Sequence, residues 1–313
     1  MNMTFRKKTA GQILFFCFLW AAVFWLPGCR RALSPKVVIG SKMDTEGAIL
    51  GYIQLLALRQ AGIPVEDRIE TGPTLIVRQA LLSGEIDGYL EYTGTALVNF
   101  MGVRDRKILT NPDSGYAMIK KWDLRENGIQ WLRTWSGINN TYTVLLNNSY
   151  AKSAGITTIS DLHNLLKRGS PFRFAVDPEF AARRDGLPGL LKFYKLNNLQ
   201  NLTVVQMDAG LVYQSLKQGS VDGIIGYSTD GRIAAFHFTR LRDDRNYFPV
   251  YTPTPVFRRK IIDRFPRIQI ILDKIAGQIS AEDITRMNYQ HDVHHKRAKV
   301  LAGDWLRDHN FLE

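Results

Sequence analysis

Apolar positions change their period several times near the start of the chain, and each change predicts a new element. Residues 36–40 form a short β-branched run that is typical of a strand. After a capping residue, Asp44, apolar side chains recur at helical spacing over residues 49–57. Residues 74–82 repeat the helical period, and residues 86–92 are again strand-like. This alternation predicts an α/β sheet covered by helices.

The pattern of residues 77–92 returns 135 positions later, at residues 212–227, with seven identities and no gap. The same offset carries the first strand onto residues 172–176. A repeat of this kind predicts two lobes that share one βαβ plan. Each lobe would place a tyrosine, Tyr92 or Tyr227, just after its second strand. Because ligands bind at the carboxyl ends of strands in open sheets, we expect these tyrosines to face one another across a cleft.

The first 29 residues are predicted to be a processing signal and not part of the fold. Three basic residues precede an apolar run over residues 13–26, which is too short to cross a hydrocarbon core of ~30 Å. The run ends at Leu26-Pro-Gly-Cys29, which resembles a bacterial lipobox. We therefore expect export and a lipid anchor on Cys29, followed by a tether over residues 30–35. An uncleaved signal or an ordinary anchor helix is the alternative.

Composition narrows the function classes. The two cysteines, Cys17 and Cys29, both fall in the leader, so no disulfide framework, thiolate metal site or cysteine nucleophile is expected in the processed chain. Removing the three basic residues of the leader lowers the formal net charge by three, from +12 to +9. The remaining basic residues are interspersed with acids, so we expect no binding to nucleic acid. Solubility or attraction to an anionic membrane surface accounts for the excess.

The sequence offers no catalytic constellation. His291, His294 and His295 form the one histidine cluster, in a polar stretch that is better explained as an exposed connection between C-terminal helices than as a metal site. Asp87 and Asp222 are equivalent in the repeat, which favours a turn role over a pair of working carboxylates. Walker loops, dinucleotide fingerprints and nucleophile elbows are missing from the sequence. We therefore expect neither an enzyme nor a cofactor or metal.

Eight short motifs occur along the chain: Ile39-Gly-Ser-Lys42, Asp44-Thr-Glu-Gly47, Gly84-Glu-Ile-Asp87, Glu91-Tyr-Thr-Gly-Thr95, Asn139-Asn-Thr-Tyr142, Asp185-Gly-Leu-Pro-Gly189, Ser228-Thr-Asp-Gly-Arg232 and Asn288-Tyr-Gln290. In their order and spacing they resemble the glycine betaine, carnitine and choline-type substrate-binding proteins of ABC importers, and most closely their osmoprotectant-uptake branch. The resemblance covers the chain from Lys36 to Leu312.

The resemblance implies a type II periplasmic-binding-protein fold, in which two α/β lobes enclose a ligand cleft. We place lobe I at residues 36–138 together with 249–313, and lobe II at residues 139–248. The implied partners are a small quaternary ammonium ligand and an ABC permease in the membrane. We expect the protein to be a monomer.

The resemblance also implies an aromatic box at Tyr92, Tyr142, Tyr227 and Tyr251. A quaternary ammonium group has no N–H to donate, whereas the negative face of an aromatic ring attracts it by roughly 0.5–2 kcal/mol. Ordinary semi-buried tyrosines at strand ends are the alternative. Two of the four positions, Tyr92 and Tyr227, are also selected by the repeat.

For a ligand carboxylate, the resemblance implies a polar grip formed by Lys42, Thr95 and Arg183. Charge-assisted hydrogen bonds of this kind would orient the ligand. Arg184 could take the place of Arg183, because two arginines stand where the family has one. Asn140 is expected to line the same cleft.

Three functions therefore stay open from the sequence. The first is a quaternary-ammonium binder that supplies an importer. The second is a binder of another small amine or amino acid on the same fold, which would require a carboxylate such as Asp230 in the cleft; a helix cap is the competing role for Asp230. The third is a lipoprotein with a structural or adhesive role.

Overall fold

A computed structural model describes residues 36–312. The predicted leader, the tether and Cys29 lie outside the described residues. No helix within residues 36–312 is both long enough and apolar enough to cross a membrane.

The described chain alternates strands and helices throughout. The strands are β1 (Val37–Lys42), β2 (Val65–Gly72), β3 (Gly88–Tyr92), β4 (Ile129–Trp131), β5 (Tyr142–Asn147), β6 (Phe172–Val176), β7 (Leu202–Gln206), β8 (Gly223–Tyr227), β9 (Phe238–Leu241) and β10 (Pro253–Arg258). The helices are Thr45–Gln60, Thr74–Ser83, Thr93–Thr95 with a π-turn at Ala96–Phe100, Arg106–Leu109, Pro112–Asn127, Asn148–Ala154, Ile159–Lys167, Pro178–Ala182, Leu187–Phe193, Ala209–Lys217, Arg232–Ala235, Arg259–Arg264, Arg267–Ala276, Ala281–Asp292 and Ala298–Asp308.

The strands form two five-stranded sheets with the same order, β2-β1-β3-β10-β4 and β7-β6-β8-β5-β9. In each sheet the first three strands are parallel and the fourth runs antiparallel to its neighbours. The chain passes from one sheet to the other after β4 and returns after β9. Two similar α/β lobes are therefore present, as the repeat predicts. No strand is predicted above at β2 or β7, which are edge strands with exposed or partly exposed residues; β2 is mostly polar, whereas β7 is only five residues long.

The residues of the repeat have matching structural roles. The side chain of Asp87 accepts a hydrogen bond from the backbone N–H of Val38 at 3.0 Å, and that of Asp222 accepts one from Arg173 at 2.7 Å. Asp87 therefore fastens the start of β3 to β1, and Asp222 fastens the start of β8 to β6. Gly84 ends the preceding helix with a left-handed φ of +86°, a conformation that side chains other than glycine rarely adopt.

The helix after the first strand differs between the lobes. In the first lobe, Thr45–Gln60 is one continuous helix whose N-cap, Asp44, accepts a hydrogen bond from the N–H of Gly47 at 2.8 Å. It is buried against β1 and the C-terminal helices, which rejoin this lobe. In the second lobe, the corresponding stretch is two short helices, Pro178–Ala182 and Leu187–Phe193. Arg183, Arg184 and Asp185 lie in the break between them, and Arg183 and Asp185 are buried there.

Candidate functional site

A small cavity of about 50 Å³ lies between the two sheets, at the ends of β1, β3 and β8. It adjoins a wider cavity of about 550 Å³, with which it shares six lining residues. All eight ligand-binding candidates from the sequence line the small cavity. The complete lining is Lys42, Asp44, Thr74, Tyr92, Thr95, Asn140, Tyr142, Glu179, Arg183, Tyr227 and Tyr251.

Strand register accounts for the position of the tyrosines. Tyr92 and Tyr227 are the last residues of β3 and β8, and Tyr142 is the first residue of β5, directly paired with Tyr227. Tyr251 lies two residues before β10, and its backbone carbonyl accepts a hydrogen bond from the N–H of Asn140 at 3.1 Å. The two stretches of chain that connect the lobes thus place these residues at the strand ends where the two sheets face each other.

Tyr142 is the centre of the aromatic group. Its ring centroid lies 5.1 Å from that of Tyr227 and 5.6 Å from that of Tyr251, and a further ring, Phe180, lies at 4.7 Å. These separations are those of favourable aromatic pairs. Arg183 approaches two of the rings, with its Cζ atom 5.5 Å from the centroid of Tyr142 and 5.9 Å from that of Tyr251.

The fourth ring, Tyr92, is held by a buried glutamate. Its hydroxyl donates to Glu46 at 2.7 Å, and Glu46 also accepts from Thr229 of the other lobe at 2.5 Å and from Asn288 at 3.3 Å. Burial raises the pKa of Glu46 to about 7, although the hydrogen bonds from Thr229 and Tyr92 oppose this rise. The Nζ atom of Lys42 lies 5.1 Å from the centroid of the Tyr92 ring.

The two cations of the cavity already have carboxylate partners. Lys42 forms a buried salt bridge to Glu91 at 2.7 Å. Arg183 binds Asp185 through two hydrogen bonds of 2.9 and 2.6 Å. The Arg183 guanidinium also lies 3.4 Å from the hydroxyl of Thr95, so it links the lobes. Arg184, by contrast, is exposed and faces a different cavity.

Two acids in the cavity lining were missed as site residues in the sequence analysis. Burial raises the pKa of Asp44. Burial alone would also raise the pKa of Glu179, but Lys42, the hydroxyl of Thr74 and Arg183 together hold it below its ordinary value. Counting the partners Glu91 and Asp185, four carboxyl groups surround two cations. The available signal was the repeat itself, because Asp44 and Glu179 are 135 positions apart.

The same offset of 135 residues also relates one pair of oppositely charged residues. Lys42 corresponds to Asp177, which caps helix Pro178–Ala182 by accepting from the N–H of Phe180 at 3.0 Å and lines the wider cavity. Burial raises the pKa of Asp177. Tyr92 and Tyr227 therefore match between the lobes, but Lys42 and Asp177 do not.

Asn140 and Asp230 differ in how their side chains are satisfied. The Oδ1 atom of Asn140 is buried and has no hydrogen-bond donor among the described residues. Asp230 lines the wider cavity, but its carboxylate accepts from the N–H of Arg232 at 2.9 Å and pairs with the Arg232 side chain at 2.6 Å. The N-cap of helix Arg232–Ala235 is Gly231, so Asp230 binds the first residue of the helix from the position before the cap.

Among the described residues, the histidine cluster included, no group of three or more potential metal ligands occurs. One correction applies to its placement. His291 lies in the last turn of helix Ala281–Asp292 and not in a connection, because the helical hydrogen bonds continue through it. His294 and His295 do lie between helices.

Comparison with known proteins gives consistent matches over the described chain. Residues 35–308 match the family described as the substrate binding domain of ABC-type glycine betaine transport systems. The chain is 34% identical over 281 residues to the glycine betaine-binding protein YehZ of Escherichia coli, covering 88% of this chain and 91% of YehZ. It is 35% identical over 303 residues to a glycine-betaine-binding protein of Pseudomonas aeruginosa, covering 95% and 94% of the two chains. A carnitine transport binding protein of Listeria monocytogenes is 29% identical over 290 residues, with 92% and 91% covered.

Solved structures extend the likeness to the fold. The structure of apo YehZ superimposes with a TM-score of 0.67 at 32% identity, covering 89% of this chain and all of YehZ. The fold is accordingly the type II periplasmic-binding-protein fold, with two α/β lobes and a cleft between them.

Proposed function

The chain belongs to the family of substrate-binding domains of ABC-type glycine betaine transport systems, and from this premise we propose that it holds a quaternary ammonium solute between Tyr92, Tyr142, Tyr227 and Tyr251. The family consists of solute-binding proteins, so the chain is not an enzyme. The ligand class is that named for the relatives from E. coli, P. aeruginosa and L. monocytogenes.

The observation that carries the proposal is the convergence of four tyrosines from both lobes on one small cavity, whose two cations are surrounded by four carboxyl groups when their partners Glu91 and Asp185 are counted. Aromatic faces attract a methylated ammonium ion, and the surrounding acids add a favourable field. With roughly 0.5–2 kcal/mol from each ring, four rings supply at most about 8 kcal/mol, so burial of the ligand's methyl groups and its polar contacts must add to the cation–π attraction for micromolar binding.

The polar side of the cavity would orient the ligand. Lys42, Arg183 and Thr95 are the groups able to bind a carboxylate, and Asn140 adds an acceptor for a hydroxyl group. Because Lys42 and Arg183 already pair with Glu91 and Asp185, a ligand carboxylate would share these cations with protein acids.

Direct hydrogen bonds across the cleft indicate how binding would be coupled to closure. Thr74 donates to Glu179 at 2.6 Å, and Thr229 donates to Glu46 at 2.5 Å. A ligand that contacts both walls would stabilise this arrangement, which the membrane permease would then recognise. We take residues 36–138 with 249–313 as lobe I and 139–248 as lobe II.

We also propose a cellular location and an oligomeric state for the protein. The protein would act outside the cytoplasm, held to a membrane by a lipid on Cys29, and would work as a monomer. Mass spectrometry of the membrane fraction tests the anchor, since lipidation would remove the first 28 residues and add acyl chains to Cys29. An unmodified N-terminus would contradict it.

A thermal-shift series tests the ligand class. At a concentration of 100 times the dissociation constant, a ligand stabilises the folded protein by about 2.7 kcal/mol. We expect glycine betaine, choline or carnitine at millimolar concentration to raise the melting temperature. If all three leave it unchanged, the proposed cage is wrong.

A second candidate is a primary amine, favoured by the position of Asp44 and Glu179 in the cavity lining. An ammonium group with N–H donors would bind these acids directly. Stabilisation by primary amines, with no response to their trimethylated counterparts, would support this candidate over the first.

A further inference from the structure

A separate cavity of about 420 Å³ lies between the two lobes, beside helix Leu187–Phe193. The first lobe contributes Arg104 and Arg106, and the second contributes Arg184 and Lys192. None of these four side chains forms a salt bridge with the described residues 36–312. Four unneutralised cations from two lobes therefore face one space.

The one acid in this lining does not offset them. Asp185 binds Arg183 through both of its oxygens and also accepts a hydrogen bond from the hydroxyl of Tyr251 at 2.7 Å. Its negative charge is thus paired with groups that line the tyrosine-lined cavity. The 420 Å³ cavity keeps a net positive charge.

Arg106 is the best defined of the four. Its guanidinium Cζ lies 4.7 Å from the ring centroid of Phe193 and 5.5 Å from that of Tyr247, both in the second lobe. Its Nη2 atom is shielded from solvent and donates to no acceptor among the described residues. A buried charged donor without a partner is costly, which is why such groups normally have one. Stacking explains where Arg106 lies but leaves this donor unsatisfied.

We propose that this cavity binds a phosphate-type oxyanion, which accepts hydrogen bonds from Arg106 and is neutralised by Arg104, Arg184 and Lys192. Arginine forks match tetrahedral oxyanions because they offer paired N–H donors at fixed geometry. The anion would contact both lobes, so it would favour their closed arrangement. The phosphate could be free in solution or could be the headgroup of an anionic lipid.

The direct test is a titration with inorganic phosphate, with chloride at the same ionic strength as the reference. Binding is measured by calorimetry and by the change in melting temperature. We expect saturable binding that is weakened at least tenfold by Arg106→Gln and by Arg104→Glu. Lys121→Glu is the matched control, because Lys121 is exposed, lies outside the cavity and forms no salt bridge with the described residues. Arg104 is exposed, so its variant should fold even if Arg106→Gln does not.

A second arm distinguishes the source of the phosphate. The same variants are sedimented with vesicles of phosphatidylcholine alone or of phosphatidylcholine mixed with phosphatidylglycerol, an anionic lipid that attracts basic surfaces. If the protein binds the anionic vesicles, and Arg104→Glu reduces this binding more than Lys121→Glu does, the site is assigned to a lipid headgroup. Binding to free phosphate alone assigns it to a soluble anion. If neither probe binds, or if pocket and control variants behave alike, the site does not exist.

Coupling to the proposed solute site gives a further readout, which rests on the proposed function. Saturating phosphate should tighten glycine betaine binding severalfold, and glycine betaine should tighten phosphate binding by the same factor. Failure of the solute to bind would leave the phosphate titration intact. Phosphate binding with no effect on solute affinity would contradict the link between the anion and closure.

Discussion

Tyr142 and Tyr227 stand opposite each other in the antiparallel pair of β5 and β8, with their ring centroids 5.1 Å apart. Both are in the second lobe, so this wall of the cavity exists before the lobes meet. Tyr92 belongs to the first lobe and lies across the cleft from this pair. A ligand held by all three rings must therefore contact both lobes.

Replacing Tyr227 should weaken solute binding without unfolding the protein. Tyr227 is partly exposed and closes one wall of the cavity, so Tyr227→Ala should reduce affinity for glycine betaine ~10- to 100-fold, or roughly 1.5–3 kcal/mol. Tyr227→Phe should retain most of the affinity, because the ring face is kept. Isothermal titration calorimetry measures both. Tyr150→Ala, at a tyrosine outside the cavity, is the control, and an unchanged affinity for Tyr227→Ala would remove this residue from the site.

The neighbouring arginines Arg183 and Arg184 should differ sharply in their effect on stability. Arg183→Gln leaves the buried carboxylate of Asp185 without its counter-ion, which should lower the free energy of unfolding by about 3–5 kcal/mol. Arg184→Gln removes an exposed charge and should change it by less than ~0.5 kcal/mol. Urea unfolding in phosphate-free buffer measures both variants. Equal effects would show that the Arg183–Asp185 pair is not formed.

Glu46 predicts a dependence of stability on pH. Its pKa is raised from 4.5 to about 7, so between these values the folded protein binds more protons than the unfolded chain, and stability falls as pH rises. The loss contributed by this group reaches about 3 kcal/mol near pH 7. Glu46→Gln should remove that part of the slope. Burial also raises the pKa of Asp44 and Asp177, so the test compares wild type with Glu46→Gln at pH 5 and pH 7.5, and parallel curves would contradict the prediction.

The acids of the cavity should favour ligands with a net positive charge. Glu179→Gln keeps the shape of the side chain but removes one negative charge, so choline affinity should fall roughly tenfold. Glycine betaine, whose carboxylate offsets its ammonium group, should be affected less. Glu282→Gln makes the same charge change at an exposed position outside the cavity. Equal losses for choline and glycine betaine would show that Glu179 acts through structure and not through charge.

Much of the fold followed from local pattern. The strands before Lys42 and Tyr92 and the capped helix after Asp44 have strong apolar periodicity, and the repeat carried the same plan into the second half. The edge strand Val65–Gly72 was missed, because its partial exposure leaves no apolar alternation to detect. The broken helix around Arg183 was also missed, since helical propensity alone does not fix a break that is stabilised by tertiary contacts.

The site divides in a similar way. The repeat and the family resemblance predicted eight residues that line the cavity, but the sequence did not indicate which of the charged residues form salt bridges with one another. Lys42 and Glu91 meet because β1 and β3 are parallel neighbours, a relationship that depends on the assembled sheet. Arg183 lines the cavity and Arg184 does not, because the backbone between helices Pro178–Ala182 and Leu187–Phe193 directs the two side chains to different cavities.

The charge difference between corresponding positions gives the cleft a direction. The two sheets have the same strand order, and the repeat places one tyrosine in each lobe, but Lys42 stands in the first lobe where Asp177 stands in the second. A ligand whose two ends are alike would have two nearly equivalent poses. We expect one that carries an ammonium group at one end and a carboxylate at the other to have a single favourable pose, set by a charge asymmetry that the shared strand order of the two sheets does not have.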